Sequence, residues 1–509
     1  VCSSDLPLNA RVWYPDGPGP FPLVLVVHGN HTPEDYSDPG YDYLGELLAS
    51  RGFILASLDE NWINGALRGE NDGRAWVMLK HLENWKRWND STGGPFSHRV
   101  DMGRIALMGH SRGGEAAAVA AAFNTLPYYP DDAKQKFNFR FAIKGVVAIA
   151  PVDGQYTPAA RPTPLANVNY LLLHGSHDGD VSTAVGMRQY ERVAFIDGQP
   201  HFKAFYFMYR ANHGQWNTVW QNKDNGPRSG RSLDLRTLVP IEDQRRMGKL
   251  MISAFLEATL HGKSEYLPMF RDHRTAGQWL PKTMYTTRFQ ESGFRTLADY
   301  EDDVDLTTGT PGVTLAGDSL STWKENVIPF RGRGTDDQKT NAVWLGWNNR
   351  IAGPDTMKFG RPARYTITLA DSLVRAWKVP DSAAVYLSIA LTKDKPGPRQ
   401  PPRDTTKRDT SKAAVAARAK AAKDSAARVP KPPKPNPAAD TLPIDFTLEL
   451  EDADGHVART PMSRYGPVRR PLEAHIYRRA GRDEQRFQNL FEIVPQTYVV
   501  PLEIGRAHV

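Results

Sequence analysis

The sequence predicts an α/β fold, a mainly parallel sheet flanked by helices, followed by an antiparallel β-sandwich of jelly-roll-like type. Three observations carry the prediction. From Pro7 to about Leu280, continuous apolar runs alternate with amphipathic stretches. A parallel strand covered on both faces is apolar throughout, and helices connect such strands. Beyond about Thr283 the runs are short, with apolar and polar residues alternating between turn residues, the pattern of half-exposed antiparallel strands. Third, the hexapeptide Gly109-His110-Ser111-Arg112-Gly113-Gly114 falls between an apolar run and an alanine-rich stretch, where a strand turns sharply into a helix.

Each element follows in order. Leu23 to Val27 is a buried strand, and Tyr41 to Arg51 an amphipathic helix stopped at Gly52. Phe53 to Leu58 is the second strand. Ala75 to Trp88 carries Trp76, Leu79, Leu82 and Trp85 at helical spacing. Ile105 to Met108 is a strand and Gly114 to Phe123 the alanine-rich helix. Gly145 to Ala150, Tyr170 to Leu173 and Phe202 to Met208 are three further strands, with Met187 to Phe195 a helix between the last two. Arg245 to His261 closes the α/β part. Strands of the second domain are expected at 365–369, 385–391, 446–450 and 498–502.

The domains expected are therefore 7–280 and 281–503, and the second is interrupted. Residues 395–440 hold twelve basic and four acidic side chains, with abundant Pro and Ala and almost no large apolar residue. Such a segment buries too little surface to offset its ordering entropy, so it is expected to be a disordered insertion. It also accounts for the charge. The chain of 509 residues has a formal net charge of +7, the insertion contributes +8, and the remainder is close to neutral. That removes the support for nucleic-acid binding.

The terminal hexapeptides, residues 1–6 and 504–509, can be encoded by opposite strands of one DNA sequence resembling a sequencing adapter, and are expected to be scars. They include the single cysteine, Cys2, so neither a disulfide framework nor a cysteine zinc site is expected. No apolar run approaches the roughly 20 residues that span a bilayer. With an accessory domain appended, a secreted or periplasmic setting is expected.

A serine raised on a strand–turn–helix elbow is a nucleophile only with a base, and the base needs an orienting acid. In this architecture the chain order is serine, acid, histidine, with each group following a strand. Ser111, Asp178 and His213 satisfy that order. Asp180 and Asp153 are rival acids. His174, His177 and His201 are rival histidines, less suited by position. Two backbone N–H groups must bind the oxyanion: Arg112, which follows the nucleophile, and Asn30 in the loop His28-Gly29-Asn30-His31. His31, Trp62, His110 and Trp216 are candidate substrate contacts. Asp302, Asp303, Asp305, Asp452 and Asp454 suggest calcium ligands but fit no EF-hand spacing. Neither metal nor cofactor is expected.

Residues 10–265 resemble the α/β-hydrolase superfamily. Residues 109–114 resemble the lipase-type motif of chlorophyllase-like enzymes, and Pro151-Val152 with Gly154 is similar to another of their segments. Gly175 to Val181, as Gly-x-x-Asp-x-x-Val, looks more like the acid loop of cutinase-like polyesterases and dienelactone-hydrolase relatives. Chlorophyllase-like proteins carry an acid before the Pro-Val pair, where this sequence has Ala150. That departure favours Asp178 as the acid and weakens chlorophyll as a substrate. Dienelactone hydrolases use a cysteine nucleophile and haloalkane dehalogenases an aspartate, where this chain has Ser111.

The resemblance implies a serine esterase acting on a small or polymeric ester, without a cofactor. A serine peptidase with the same triad and an inert binding protein on the same fold are the alternatives. The sandwich is a candidate module for a polysaccharide or polymer surface, with Trp323, Trp344, Trp347 and Trp377 as a possible platform; packing against the first domain is the other role open to it.

Overall fold

The computed structural model describes residues 8–502, apart from 66, 225–232, 332–335, 348–361, 381, 393–415, 417–443, 472 and 478–489. The expected insertion at 395–440, but for residue 416, lies outside the described residues, as do both terminal hexapeptides.

The first part runs β1 (Ala10–Trp13), β2 (Phe21–Val27), α1 (Asp42–Ser50), β3 (Ile54–Leu58), α2 (Asn71–Asp90), β4 (Val100–His110) and α3 (Arg112–Phe123). After a hairpin of β5 (Tyr128–Tyr129) and β6 (Asp132–Lys136) come β7 (Ile143–Ile149), β8 (Leu165–Ala166), β9 (Asn169–Gly175), α4 (Met187–Arg192), β10 (Val193–Ala194) and β11 (Phe202–Met208). Then follow α5 (Ile241–Leu260), α6 (Leu267–Arg271) and β12 (Tyr285–Glu291).

Eight of these strands form one sheet in the order β1-β3-β2-β4-β7-β9-β11-β12. The strands from β3 to β11 are mutually parallel, while the outermost β1 and β12 pair antiparallel. Neither edge strand was expected from the sequence. β12 lies just beyond Leu280, in the stretch assigned to the second domain, yet it pairs with β11 along its whole length from Phe202↔Glu291 to Met208↔Tyr285.

The pleat divides the core in two. Leu23, Leu25, Val27, Ile105 and Leu107 face one cluster with Met78, Leu79 and Leu82 of α2 and the alanines of α3. Val24, Val26, Ala106 and Met108 face the other, with Leu44 and Leu48 of α1 and Met247, Met251 and Phe255 of α5. Successive strand residues point to opposite faces, so a run apolar at every position demands helices on both sides. The alanines of α3 keep that helix close to the sheet beside the elbow it opens from.

The later part is β-rich: β13 (Val313–Asp318), β14 (Thr322–Pro329), β15 (Asp337–Gly346), β16 (Arg364–Leu369), a short α7 (Asp371–Trp377), β17 (Ala384–Ile389), β18 (Thr447–Glu451), β19 (Val457–Pro461) and β20 (Gln496–Pro501). Among the described residues these strands form antiparallel pairs: β13 with β16, β14 with β15, β17 with β20 and β18 with β19. β16 alternates exposed and half-buried residues along its length, as its alternating sequence requires. The four tryptophans singled out above are all half-buried.

This region packs on the sheet edge. Thr287 N donates to Gln496 Oε1 (2.8 Å), and Gln496 Nε2 returns a bond to Thr287 Oγ1 (2.9 Å). Tyr386 lies 4.3 Å, ring to ring, from Phe294. Among the described residues no helix is long and apolar enough to cross a membrane.

Candidate active site

The C-terminal ends of β2, β4, β9 and β11 deliver the site. β4 ends at His110 and α3 begins at Arg112, leaving Ser111 alone between them at φ 59°, ψ −123°. A non-glycine residue at positive φ is strained and must be held there by its surroundings. Ser111 N donates to Ile149 O (2.9 Å), and Ser111 O accepts from Gly114 N (2.9 Å). The turn is so tight that a Cβ on Gly109 would run into the Gly113 carbonyl. Glu115, in the first turn of α3, accepts from Gly154 N (2.7 Å) and Gln155 N (3.0 Å). A carboxylate is well placed at a helix N-terminus, and this one anchors the loop after Pro151.

The loop after β2 presses on the elbow. A Cβ on Gly29 would stand 2.5 Å from Ser111 Cβ and 2.7 Å from His110 O, so only glycine lets the two loops meet. Asn30 is pinned through its side chain: Oδ1 accepts from Gly65 N (2.8 Å) and Nδ2 donates to Gly65 O (3.2 Å). His28 donates from Nδ1 to Gly29 O (2.8 Å) and accepts at Nε2 from Glu60 N (3.1 Å). Burial, aided by Arg74, pushes its imidazole down to about 3, so it stays neutral and structural. Arg112 N heads α3, where first-turn N–H groups have no intrahelical acceptor. Its side chain turns away, donating to Leu67 O (2.9 Å) and pairing with Glu70 (2.5 Å).

β9 and β11 are neighbours, with Gly175 opposite Met208, so the turns that follow them lie side by side. His213 Nδ1 meets Asp178 Oδ2 at 2.7 Å, and both side chains are buried. Asp178 Oδ1 accepts from Asp180 N (2.9 Å). Burial raises the Asp178 carboxyl and His213 opposes that rise. Burial alone lowers His213, but Asp178, its hydrogen bond, Asp180 and Asp224 outweigh it and push the imidazole up to about 9. His213 Nε2 is buried and has no hydrogen-bond partner among the described residues. The partly exposed Asp180 carboxylate stands 3.9 Å from that nitrogen.

The other residues named from the sequence are distributed as follows. His110 is fully buried: its Nε2 donates to His213 O (3.1 Å) and its Nδ1 lies 3.3 Å from Tyr41 Oη. His31 stacks on Trp220 with ring centroids 5.3 Å apart. Trp62 is 50% exposed, whereas Trp216 is buried in the core beside Met247 and Met251. Asp153 forms a two-pronged ion pair with Arg192, on a different partner from His213. His174 donates from Nε2 to Val181 O (3.1 Å), His177 Nδ1 bonds Ser176 Oγ (2.8 Å) and His201 faces Asp197 (3.0 Å).

Two residues were missed. Trp220 stacks over His213 (6.0 Å, 10°), lies 4.5 Å from His110 and donates to Ser37 Oγ (2.8 Å). Asp224 is buried and bonds backbone N–H groups of both the acid turn and the histidine loop. Both belong to residues 217–244, a long, polar, glycine-containing stretch whose sequence suggests a lid or rim rather than support for the base.

Asp452, Asp454 and His456 bring ligand-type atoms within 4.8 Å of one another at the surface. The Asp452 carboxylate there accepts from Asp454 N, His456 N and His456 Nδ1, each at 2.9 Å. Asp303 and Asp305 likewise accept from their own turn, from Asp305 N (2.7 Å) and Thr307 N (2.9 Å).

The family model described as Chlorophyllase matches residues 2–168. The match includes the β2 loop and the elbow and ends before Asp178 and His213. Over that stretch, less than half of the chain, the sequence is similar to chlorophyllase. The sheet described above fits an α/β-hydrolase fold for the first part, and the similarity to chlorophyllase supports the chlorophyllase-like branch. No curated protein matches the chain.

Proposed function

We propose that the chain is a serine esterase that cleaves carboxylic esters through an acyl-enzyme. The observation that carries this reading is the buried 2.7 Å Asp178–His213 pair, joined by a hydrogen bond to His110, the residue that precedes Ser111. Ser111 Oγ attacks the ester carbonyl. His213 Nε2 takes its proton and passes it to the leaving alcohol, then repeats the cycle with water. Asp178 fixes the tautomer that keeps Nε2 available and stabilises the imidazolium. Backbone N–H groups of Asn30 and Arg112 bind the oxyanion. The acyl chain and alcohol are carried by the loops around Trp62 and His31.

The test is labelling of Ser111 by a fluorophosphonate, with hydrolysis of p-nitrophenyl acetate by wild type and Ser111→Ala. Labelling confined to the wild type, together with loss of turnover in the variant, supports the reading; equal turnover in both overturns it.

A further inference from the structure

Asp224 is a carboxylate that the reaction above does not use. It is 2% exposed. Its Oδ2 accepts from Gly179 N (2.9 Å) and from His213 N (3.1 Å). Its Oδ1 accepts from Gly214 N (2.8 Å) and from Asn212 Nδ2 (3.3 Å). Gly179 follows the acid directly, and His213 is the base itself. A single oxygen thus joins the backbones of two loops that are 34 residues apart in sequence, from Gly179 to His213.

We infer that Asp224 is a positioning residue of the hydrolytic site, a buried clasp that sets the Asp178 turn against the His213 loop and adds negative charge behind the base. The inference rests on the esterase reading above. All four of its partners are donors, so both oxygens must be acceptors. A charged group beneath the base is also costly to bury unless fully hydrogen-bonded, and Asp224 meets that condition with three N–H groups and one side-chain amide. Without the clasp, the 2.7 Å Asp178–His213 contact would lean more heavily on bonds such as Ser176 N to Met208 O (3.0 Å), His177 N to Ala211 O (2.8 Å) and Arg210 N to Ser176 Oγ (2.8 Å). Burial and the neighbouring Asp178 raise Asp224 to about 6, so it is charged where the base works.

The charge acts on His213 alongside others. Asp178, Asp180 and Asp224 favour its protonated form, while burial opposes it. His110, His31 and His174, from three other elements, also face it, and burial keeps all three below their ordinary range.

Asp224→Asn is the discriminating variant. An amide keeps one acceptor oxygen and turns its NH2 against two donors, so one pair of bonds is lost along with the charge. The expected result is kcat lower by roughly ten- to a hundredfold, KM within about twofold, and the ascending limb of the kcat/KM profile, set by deprotonation of His213, moved to lower pH. Asp224→Glu restores the charge, and with it the position of the limb. An Asn variant with lower thermal stability but wild-type kcat and limb would overturn the inference. Should the Asn variant fail to fold, amide exchange in the wild type decides: protection at Gly179, His213 and Gly214 supports the clasp, and fast exchange at any of them overturns it. Fluorophosphonate labelling of wild-type Ser111 is run in parallel. No labelling means that the esterase reading fails, whereas labelling with an unaffected Asn variant means that only the clasp fails.

Discussion

His110 Nε2 donates to the backbone carbonyl of His213 across 3.1 Å, tying the residue before Ser111 to the residue proposed as its base. A carbonyl can only accept, so Nε2 carries the proton and Nδ1 accepts from Tyr41 Oη (3.3 Å). Burial and the charge on His213 hold the His110 imidazole well below its ordinary range, consistent with this neutral tautomer. His110→Phe keeps a ring of similar shape and removes both bonds. It is expected to lower kcat about tenfold, the value of one net hydrogen bond of ~1.4 kcal/mol, with KM little changed. Steady-state kinetics on p-nitrophenyl acetate check this, and Tyr41→Phe should lose less.

The pH dependence has a defined sign. His213 must be neutral to accept a proton, and its acidic neighbours raise it to about 9. Activity should therefore climb through the neutral and mildly alkaline range, reaching a plateau only above that value. Asp180 stands 3.9 Å from the working nitrogen but is partly exposed. At about 4 Å, a unit charge in water contributes on the order of 1 kcal/mol, or roughly 0.7 pH unit. Asp180→Asn should move the limb acidward by about that much without abolishing turnover. A stopped-flow or pH-stat profile of kcat/KM measures the shift.

Asp178, Asp180 and Asp153 compete on sequence grounds because each follows a strand of the sheet. Their contacts separate them. Asp178 Oδ2 bonds His213 Nδ1, Asp180 approaches the opposite ring nitrogen, and Asp153 is engaged by Arg192. Asp178→Asn should lower kcat about 10⁴-fold by favouring the wrong tautomer. Asp153→Asn should leave kcat near wild type and lower stability by about 1–3 kcal/mol, since it takes the ion-pair partner from a partly buried guanidinium that keeps its bonds to Gln189 and Thr163. Thermal unfolding and initial rates on the two variants check both outcomes.

The parallel strands were legible because each carries apolar residues on both faces, a pattern that two-sided burial explains. The elbow was legible from Gly109, Ser111 and Gly113 at their spacing, and chain order picked out the Asp178 and His213 that lie 2.7 Å apart. The edge strands were not legible. β1 is four residues with no buried position, and β12 alternates like the β-rich region it precedes. Trp216 and His110 were taken for substrate contacts because they sit next to chemistry in sequence, but tertiary packing turns both inward. Asp224 acts through backbone N–H groups contributed by other loops, and no spacing in the sequence encodes that.

Gly29 offers a test of the loop proposed to bind the oxyanion that spares every titratable group. A methyl there would stand 2.5 Å from Ser111 Cβ, 2.7 Å from His110 O and 3.1 Å from Arg112 N. Two of those atoms are backbone, so neither can swing aside, and separations under about 3 Å must be relieved by moving one loop. The elbow is braced by Ser111 N to Ile149 O and by Gly114 N to Ser111 O, and its serine already sits at a strained φ. The β2 loop is held at its far side by the paired Asn30–Gly65 bonds. The strain therefore falls between Gly29 and Asn30, and shifts the Asn30 N–H relative to Arg112 N. Misplacing one oxyanion donor costs about 10²–10³-fold in kcat. Gly29→Ala should show that loss while fluorophosphonate still labels Ser111, though more slowly, because attack by the serine needs His213 and Asp178 and neither has moved. Wild-type kcat in a folded Gly29→Ala variant would remove Asn30 from the proposed oxyanion hole while leaving the proposed triad intact.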